Sequence, residues 1–216
     1  MVRNSLKAAA VLAGLAFAGQ AHAVQFDISG GSYSLGTDYG CSGQGNTTNL
    51  FCATFTPIIG NPVPFSLNSV GASQTFNFGT IVLNEDGNDI QAGETDNIEV
   101  TAILSFLDPF LGNVQSIATV GVFTGPINDA AVDYSLTFAP VKQAFGNGGE
   151  FEVDFGDLSW TANGTKTHTV KITLTALPQV QQEEDPPVIA VPEPGSLALL
   201  GSALAGFGFF RRRKQA

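Results

Sequence analysis

Residues 166–177 read KTHTVKITLTAL, and their alternation predicts a β-strand with one buried face. Val170, Ile172, Leu174 and Ala176 share one parity, whereas threonine and lysine occupy the positions between them. Because successive side chains of a strand point to opposite faces, the apolar set faces a core and the polar set faces water. This pattern is typical of an antiparallel sheet that is solvated on one side.

The same period-two pattern recurs through the middle of the chain. It is clear in four further stretches, residues 96–106, 113–123, 132–138 and 151–155. Residues 25–49 offer only Phe26 and Ile28 as a sign of an opening strand. No window between the two ends shows the three- and four-residue apolar spacing of a helix. The sequence therefore predicts an all-β fold, an antiparallel β-sandwich of about seven strands or a jelly-roll variant of one.

Two positions interrupt the alternation in a regular way. In residues 74–83 the apolar side changes parity at Gly79, so that Phe78 before it and Ile81 after it fall out of phase. A one-residue slip at a glycine predicts a β-bulge, because an inserted residue returns the following side chains to the core. A second slip is expected after Gly156.

The charge of the central part excludes some classes of partner. The whole chain carries a formal charge of −10, but residues 24–191 contain three basic and eighteen acidic residues, a net charge of −15. Such a surface repels the phosphates of nucleic acids and anionic lipid head groups. We therefore expect no nucleic-acid partner.

The two cysteines, Cys41 and Cys52, lie eleven positions apart on either side of a loop rich in Gly, Asn and Thr. In an oxidising compartment we expect a disulfide, which would stabilise the fold by about 2 to 3 kcal/mol. The alternatives are a metal pair or a nucleophile, for which the sequence offers neither the other ligands nor a base.

The first 23 residues have the layout of a secretory signal peptide. Arg3 and Lys7 precede an apolar run over residues 8–18, and the segment ends at Ala21, His22 and Ala23. Small residues at Ala21 and Ala23 suit signal peptidase, so we expect cleavage after Ala23 and export of the remainder. The signal itself is expected to be helical.

The last residues combine a proline motif, an apolar run and a basic end. The motif is Pro192, Glu193 and Pro194, the apolar run covers residues 196–210, and the basic end consists of Arg211, Arg212, Arg213 and Lys214. As a helix the run would cover roughly 22 Å, against about 30 Å for a hydrocarbon core, so it spans a membrane only with help from its flanks. The basic end predicts a cytoplasmic C-terminus.

This tail resembles the PEP-CTERM sorting signal. The resemblance is confined to the tail, and it implies that a membrane-embedded exosortase recognises Pro192, Glu193 and Pro194, cleaves near them, and releases or re-anchors the protein. An ordinary single-pass anchor would share the apolar run and the basic flank. The expected layout is a signal peptide over 1–23, an exported domain over 24–177, an acidic proline-rich spacer over 178–190, and the sorting signal over 191–216.

Residues that carry chemistry are few, and none forms a recognisable catalytic set. His168 is the only histidine after the signal, and we expect it at the rim of the core. Asp154 and Asp157 near Trp160 resemble a carboxylate pair beside a sugar-stacking ring, but nothing in the sequence fixes their separation. We therefore expect no catalytic residue, no cofactor and no enzymatic activity.

An acidic loop over residues 84–89, with Glu94 and Asp96 beyond it, offers oxygen ligands of the kind calcium prefers. Its glycine does not fall where an EF-hand requires it, so a solvated turn is the favoured interpretation and no metal ligand is assigned.

Taken together, these features predict an exported protein of the cell surface or the extracellular matrix with a structural or adhesive role. Its partners would be signal peptidase and exosortase, the membrane through the C-terminal helix before cleavage, and extracellular polysaccharide. The alternative is a secreted module that binds calcium or carbohydrate.

Overall fold

The structure is a computed structural model that describes residues 23–41, 50–60, 62–85 and 89–179. The chain divides into two compact units, Met1–Gln179 and Val180–Ala216, and every described residue belongs to the first. The described residues form thirteen strands and one 3₁₀ turn, Ala92–Glu94. The strands are β1 Val24–Leu35, β2 Ala53–Pro57, β3 Val63–Leu67, β4 Ser73–Leu83, β5 Asp89–Ile90, β6 Val100–Asp108, β7 Gly112–Val122, β8 Gly125–Pro126, β9 Tyr134–Phe138, β10 Val141–Phe145, β11 Gly149–Phe155, β12 Leu158–Trp160 and β13 Gly164–Ala176.

The strands form two curled antiparallel sheets and one short ribbon. The first sheet has six strands in the order β12-β9-β7-β6-β1-β3, and the second has five in the order β10-β11-β13-β4-β2. The ribbon pairs β5 with β8. The prediction of an all-β antiparallel fold is confirmed, whereas the two predicted terminal helices lie outside the described residues.

Side chains from both sheets meet in one hydrophobic core. Phe26 of β1 and Phe106 of β6 both pack against Phe151 of β11, with ring centroids 5.3 and 5.2 Å apart. On β13 three members of the predicted inward set, Val170, Ile172 and Leu174, are fully buried, and the fourth, Ala176 at the end of the strand, is half-buried. Burial of each such side chain stabilises the fold by roughly 1.5 to 3 kcal/mol. The apolar face of β13 therefore turns toward the core between the sheets.

The predicted bulge in β4 is present. His168 of β13 pairs with Gly79, but the next residue, Thr169, pairs with Asn77, so one residue of β4 is left over. Phe78, Ile81 and Leu83 are all buried despite their different parity. The extra residue thus returns the second half of β4 to the core.

The expected second slip after Gly156 is wrong. The chain does not continue along its sheet past Gly156: β11 ends at Phe155 in the second sheet, and β12 pairs with β9 in the first. A crossover between facing sheets changes which parity is buried, just as a bulge does. Sequence alternation alone therefore does not distinguish the two.

The two ends of this unit differ in charge. One end, here called the acidic end, contains the described parts of the connections between β1 and β2, β4 and β6, β7 and β9, and β12 and β13. These parts carry Asp38, Glu85, Asp89, Glu94, Asp96, Glu99, Asp129 and Asp133. Hydrogen bonds join these connections, among them Gly36 N–H to the Glu99 carbonyl at 2.7 Å.

Both chain exits lie at the opposite end. Val24 pairs with Leu67 at the start of β1, and the Gln179 N–H donates to the Asn147 carbonyl in the turn between β10 and β11. The rings of Phe26 and Phe145, beside these two points, are 6.3 Å apart. The first and last strands therefore begin and end at the same end of the fold.

Candidate functional site

The predicted disulfide is present at the acidic end. Cys41 and Cys52 are bonded, with their Cα atoms 4.6 Å apart. Cys41 is exposed and Cys52 is buried. The Cys52 N–H donates to the Glu85 carboxylate, and the Asn84 N–H donates to the Cys52 carbonyl at 2.9 Å. The disulfide thus ties the connection after β1 to the start of β2, and the hydrogen bonds of Cys52 join that point to the end of β4.

Two carboxylates of the acidic region considered for calcium, Glu85 and Glu94, accept backbone hydrogen bonds. Glu85 is buried, and its backbone exchanges two hydrogen bonds with the Asn163 side-chain amide, at 2.8 and 2.9 Å. Glu94 accepts the Gln91 N–H at 2.7 Å and closes the 3₁₀ turn. Residues 86–88 lie outside the described part of the chain. Within that part, no three His, Cys, Asp or Glu residues converge as a metal site.

The expectation that His168 lies at the rim of the core is wrong. Its side chain is fully buried, its ring stacks on Phe138 with centroids 5.0 Å apart, and the Phe78 ring meets it edge-on. Its Nδ1 atom is 2.8 Å from the Tyr33 hydroxyl, which donates or accepts according to the tautomer. Strand parity predicted the inward direction, but the polar partner that permits full burial comes from a strand 135 residues away in sequence.

Burial lowers the pKa of His168 to about 4, because an imidazolium would lose its hydration; the nearby Gly156 backbone and Asp157 charge offset only part of this. Burial also raises the pKa of Tyr33. Both groups are therefore neutral at pH 7. Their hydrogen bond satisfies the Nδ1 atom of the buried imidazole, while the Tyr33 side chain itself is half-buried.

The carboxylates near Trp160 have structural partners. Asp154 forms an ion pair with Lys171, with Oδ2 3.6 Å from Nζ. Asp157 Oδ1 accepts the Phe138 N–H at 2.9 Å. Trp160 is buried, and its indole N–H donates to the Gly164 carbonyl at 3.2 Å, so its ring is not available to stack on a sugar.

The outer faces of the two sheets differ in a way that the sequence did not reveal. The only charged residues in the strands of the first sheet are Asp27 and Asp108, which pair with each other at one end of it. The second sheet contains every described lysine and three further carboxylates, two of which form ion pairs. Strand order determines this difference, because it places the charged strands β10, β11 and β13 together in the second sheet.

The predicted processing sites are at or beyond the borders of the described residues. Ala23 is exposed and directly precedes β1, whose first residue, Val24, is buried. Ala21 lies outside the described residues, as do Pro192, Glu193 and Pro194 and the basic run over 211–214. The predicted membrane helix over 196–210 also lies outside. No helix among residues that the structure describes is long and apolar enough to cross a membrane.

Comparison with known proteins identifies the tail. Residues 190–214 match the family model of the PEP-CTERM protein-sorting motif, and this segment contains the Pro-Glu-Pro triplet, the apolar run and the basic residues. Proteins that carry such a tail are exported, processed by exosortase and sorted to the cell surface. No curated protein and no solved structure matches the chain.

Proposed function

We propose that this chain is a structural and adhesive component of the cell surface or extracellular matrix, delivered by exosortase processing of its tail. The observation that carries the proposal is the sorting motif over residues 190–214. The described part of the chain is an all-β fold with a disulfide. A disulfide suits an oxidising compartment outside the cytosol, which agrees with export.

The contacts of the candidate residues bear on whether the exported domain is an enzyme. His168, Trp160 and Asp157 are each engaged in the core or with the backbone. These contacts support a non-enzymatic role, because catalytic groups must converge on a site that substrate can reach. The shared core of the two curled sheets supports their description as a β-sandwich.

Replacing Pro192, Glu193 and Pro194 with alanine tests the sorting step. Intact-mass measurement of the protein from its native host should show loss of both the signal peptide and the tail in the wild type. The triple variant should lose the signal peptide but retain the tail. The spacer provides a matched control, since Glu184→Ala, Pro186→Ala and Pro187→Ala change the same residue types outside the motif.

Normal processing of the triple variant would overturn the sorting proposal. A tail retained equally in the control would show that processing needs the spacer as well, and would contradict a role specific to the motif. The non-enzymatic role fails if the purified protein hydrolyses a glycoside substrate and the paired substitutions Asp154→Asn and Asp157→Asn abolish that activity.

A further inference from the structure

We propose that the outer face of the first sheet binds a neutral polysaccharide. The inference deepens the proposed function, on which it rests, by assigning the adhesive role to one surface and one class of polymer. The surface, here called the uncharged face, lies at the centre of the first sheet. It consists of the outward side chains Ser32 and Ser34 of β1, Thr101 and Ile103 of β6, Gln115, Ile117 and Thr119 of β7, Phe123 directly after β7, and Thr137 of β9.

The first argument is charge. The uncharged face belongs to an exported region with three basic and eighteen acidic residues, yet β7, β9 and β12 contain no charged residue. Asp27 and Asp108 lie together at one end of the sheet, away from its centre. When a ligand covers a face without charges, no ion has to be desolvated. Such a face also offers no opposite charge that would attract an anionic or a cationic polymer.

The second argument is hydrogen-bonding capacity. Register aligns the outward residues in rows across the sheet, and one row contains Ser32, Ile103 and Gln115 while the next contains Ser34, Thr101 and Ile117. A further pair, Thr119 and Thr137, continues the array onto β9. Hydroxyl and amide groups both donate and accept hydrogen bonds, as the hydroxyl groups of a sugar do, so the array matches a polymer of neutral sugars.

The third argument is the apolar content of the face. Phe123 is 56% exposed and its ring lies over Gly121, since a Cβ atom on that glycine would be 3.2 Å from the ring and 2.6 Å from the Ser135 hydroxyl oxygen. Ile117, 67% exposed, lies on β7 six residues before Phe123, which directly follows that strand. An exposed aromatic ring beside a hydroxyl group provides an apolar surface for the C–H face of a sugar ring.

The distribution of these groups favours a polysaccharide over a protein partner. Protein interfaces bury a contiguous apolar centre, whereas Ile117 is flanked across the sheet by Thr101 and along its own strand by Gln115 and Thr119. An extended chain of sugars needs no such centre, because it contacts a row of separate polar and apolar groups.

Affinity electrophoresis and calorimetry of the processed protein test the proposal. The probes are three neutral polymers, laminarin, dextran and galactomannan, and one anionic polymer, alginate. We expect binding to at least one neutral polymer with little dependence on salt, and no binding to alginate. Phe123→Ala should weaken the binding about tenfold, in line with the loss of one stacking ring.

A matched pair of charge substitutions locates the site. Thr119→Asp places a carboxylate on the uncharged face and should weaken binding tenfold or more. Thr167→Asp is its control, because Thr167 is also exposed in mid-strand and pairs with another threonine, Thr80, but on the second sheet. Val70→Ala controls for Phe123→Ala, since the two side chains are equally exposed.

Three results would overturn the assignment: no binding to any neutral polymer, equal binding to alginate, or unchanged binding by Phe123→Ala and Thr119→Asp. A dimer in sedimentation that Thr119→Asp disperses would instead assign the face to a second copy of the chain. Tail removal, measured by intact mass, should be normal in both variants. A failure of this inference is therefore distinct from a failure of sorting.

Discussion

The hydroxyl of Tyr33 and the Nδ1 atom of His168 lie 2.8 Å apart between the two sheets, in a core that is otherwise aromatic and aliphatic. Tyr33 belongs to β1 of the first sheet and His168 to β13 of the second, so this contact joins the sheets through their interiors. Phe78, Phe138 and Phe155 surround the imidazole. The pair is the basis of two predictions.

Stability should fall as the pH drops through the range from 6.5 to 4. The pKa of His168 is about 4 in the folded chain and about 6.5 when unfolded, so between these values the unfolded state binds more protons. The loss should begin near pH 6.5, be complete below about pH 4, and reach at most roughly 3 kcal/mol. Urea unfolding at several pH values measures it. The double variant Tyr33→Phe with His168→Phe should lack this component, and an unchanged pH profile in that variant would contradict the prediction.

Tyr33→Phe should destabilise the fold by about 1 to 3 kcal/mol, because it leaves a buried imidazole nitrogen without its partner. His168→Phe should have a comparable cost, because it leaves the Tyr33 hydroxyl without its hydrogen-bond partner. Combining them should cost less than the sum of the two, since neither polar group then remains. Additive free energies of unfolding in the cycle would show that the hydrogen bond contributes nothing.

Gly79→Ala should destabilise the fold by about 1 to 3 kcal/mol through overpacking. A Cβ atom at the β4 bulge would lie 2.6 Å from the Tyr33 hydroxyl and 2.8 Å from the Thr56 carbonyl oxygen. Gly60→Ala is the control, because its nearest neighbour would be 3.9 Å away. Thermal unfolding of both variants makes the comparison, and equal midpoints would contradict the packing seen at the bulge.

Loss of the Cys41–Cys52 bond should cost about 2 to 3 kcal/mol, because the unfolded chain gains the freedom of an open loop. Cys41→Ala removes the bond at its exposed end, so the core packing around Cys52 is preserved. The urea midpoint of this variant should match that of the reduced wild type. A reduced wild type as stable as the oxidised protein would contradict the prediction.

Asp108→Asn should stabilise the fold by about 0.2 to 1 kcal/mol, because Asp108 pairs directly with Asp27 and like charges across a strand pair repel. The gain should shrink as salt is added. Asp154→Asn provides a control of opposite sign, since it removes an ion pair with Lys171 and should destabilise slightly. Urea midpoints at low and high salt distinguish the two effects.

The strands that the sequence predicted are those with apolar residues at every second position. The strand β1 continues to Leu35, beyond the predicted Phe26 and Ile28. The alternation did not show this continuation, because one of its inward positions is Gly31. A Cβ atom at Gly31 would lie 2.5 Å from the Phe78 ring, so the close approach of the sheets requires a glycine where the pattern expects an apolar residue.

The short edge strands β2 and β3 were also missed. Each contains a proline, Pro57 or Pro64, which alternation rules treat as a strand breaker but which an edge strand tolerates. The uncharged face could not be predicted either. Its rows depend on the register between strands distant in sequence, such as the pairing of Ser32 with Ile103. The sorting tail, by contrast, could be predicted from the sequence, because its signal is a continuous run of residues.

The shared location of the two chain exits has a consequence for any attachment through the ends of the chain. Val24 and Gln179 lie at one end of the described fold, so a tether that continues from either residue starts from that end. The carboxylate-rich loops lie at the opposite end, away from both of these starting points.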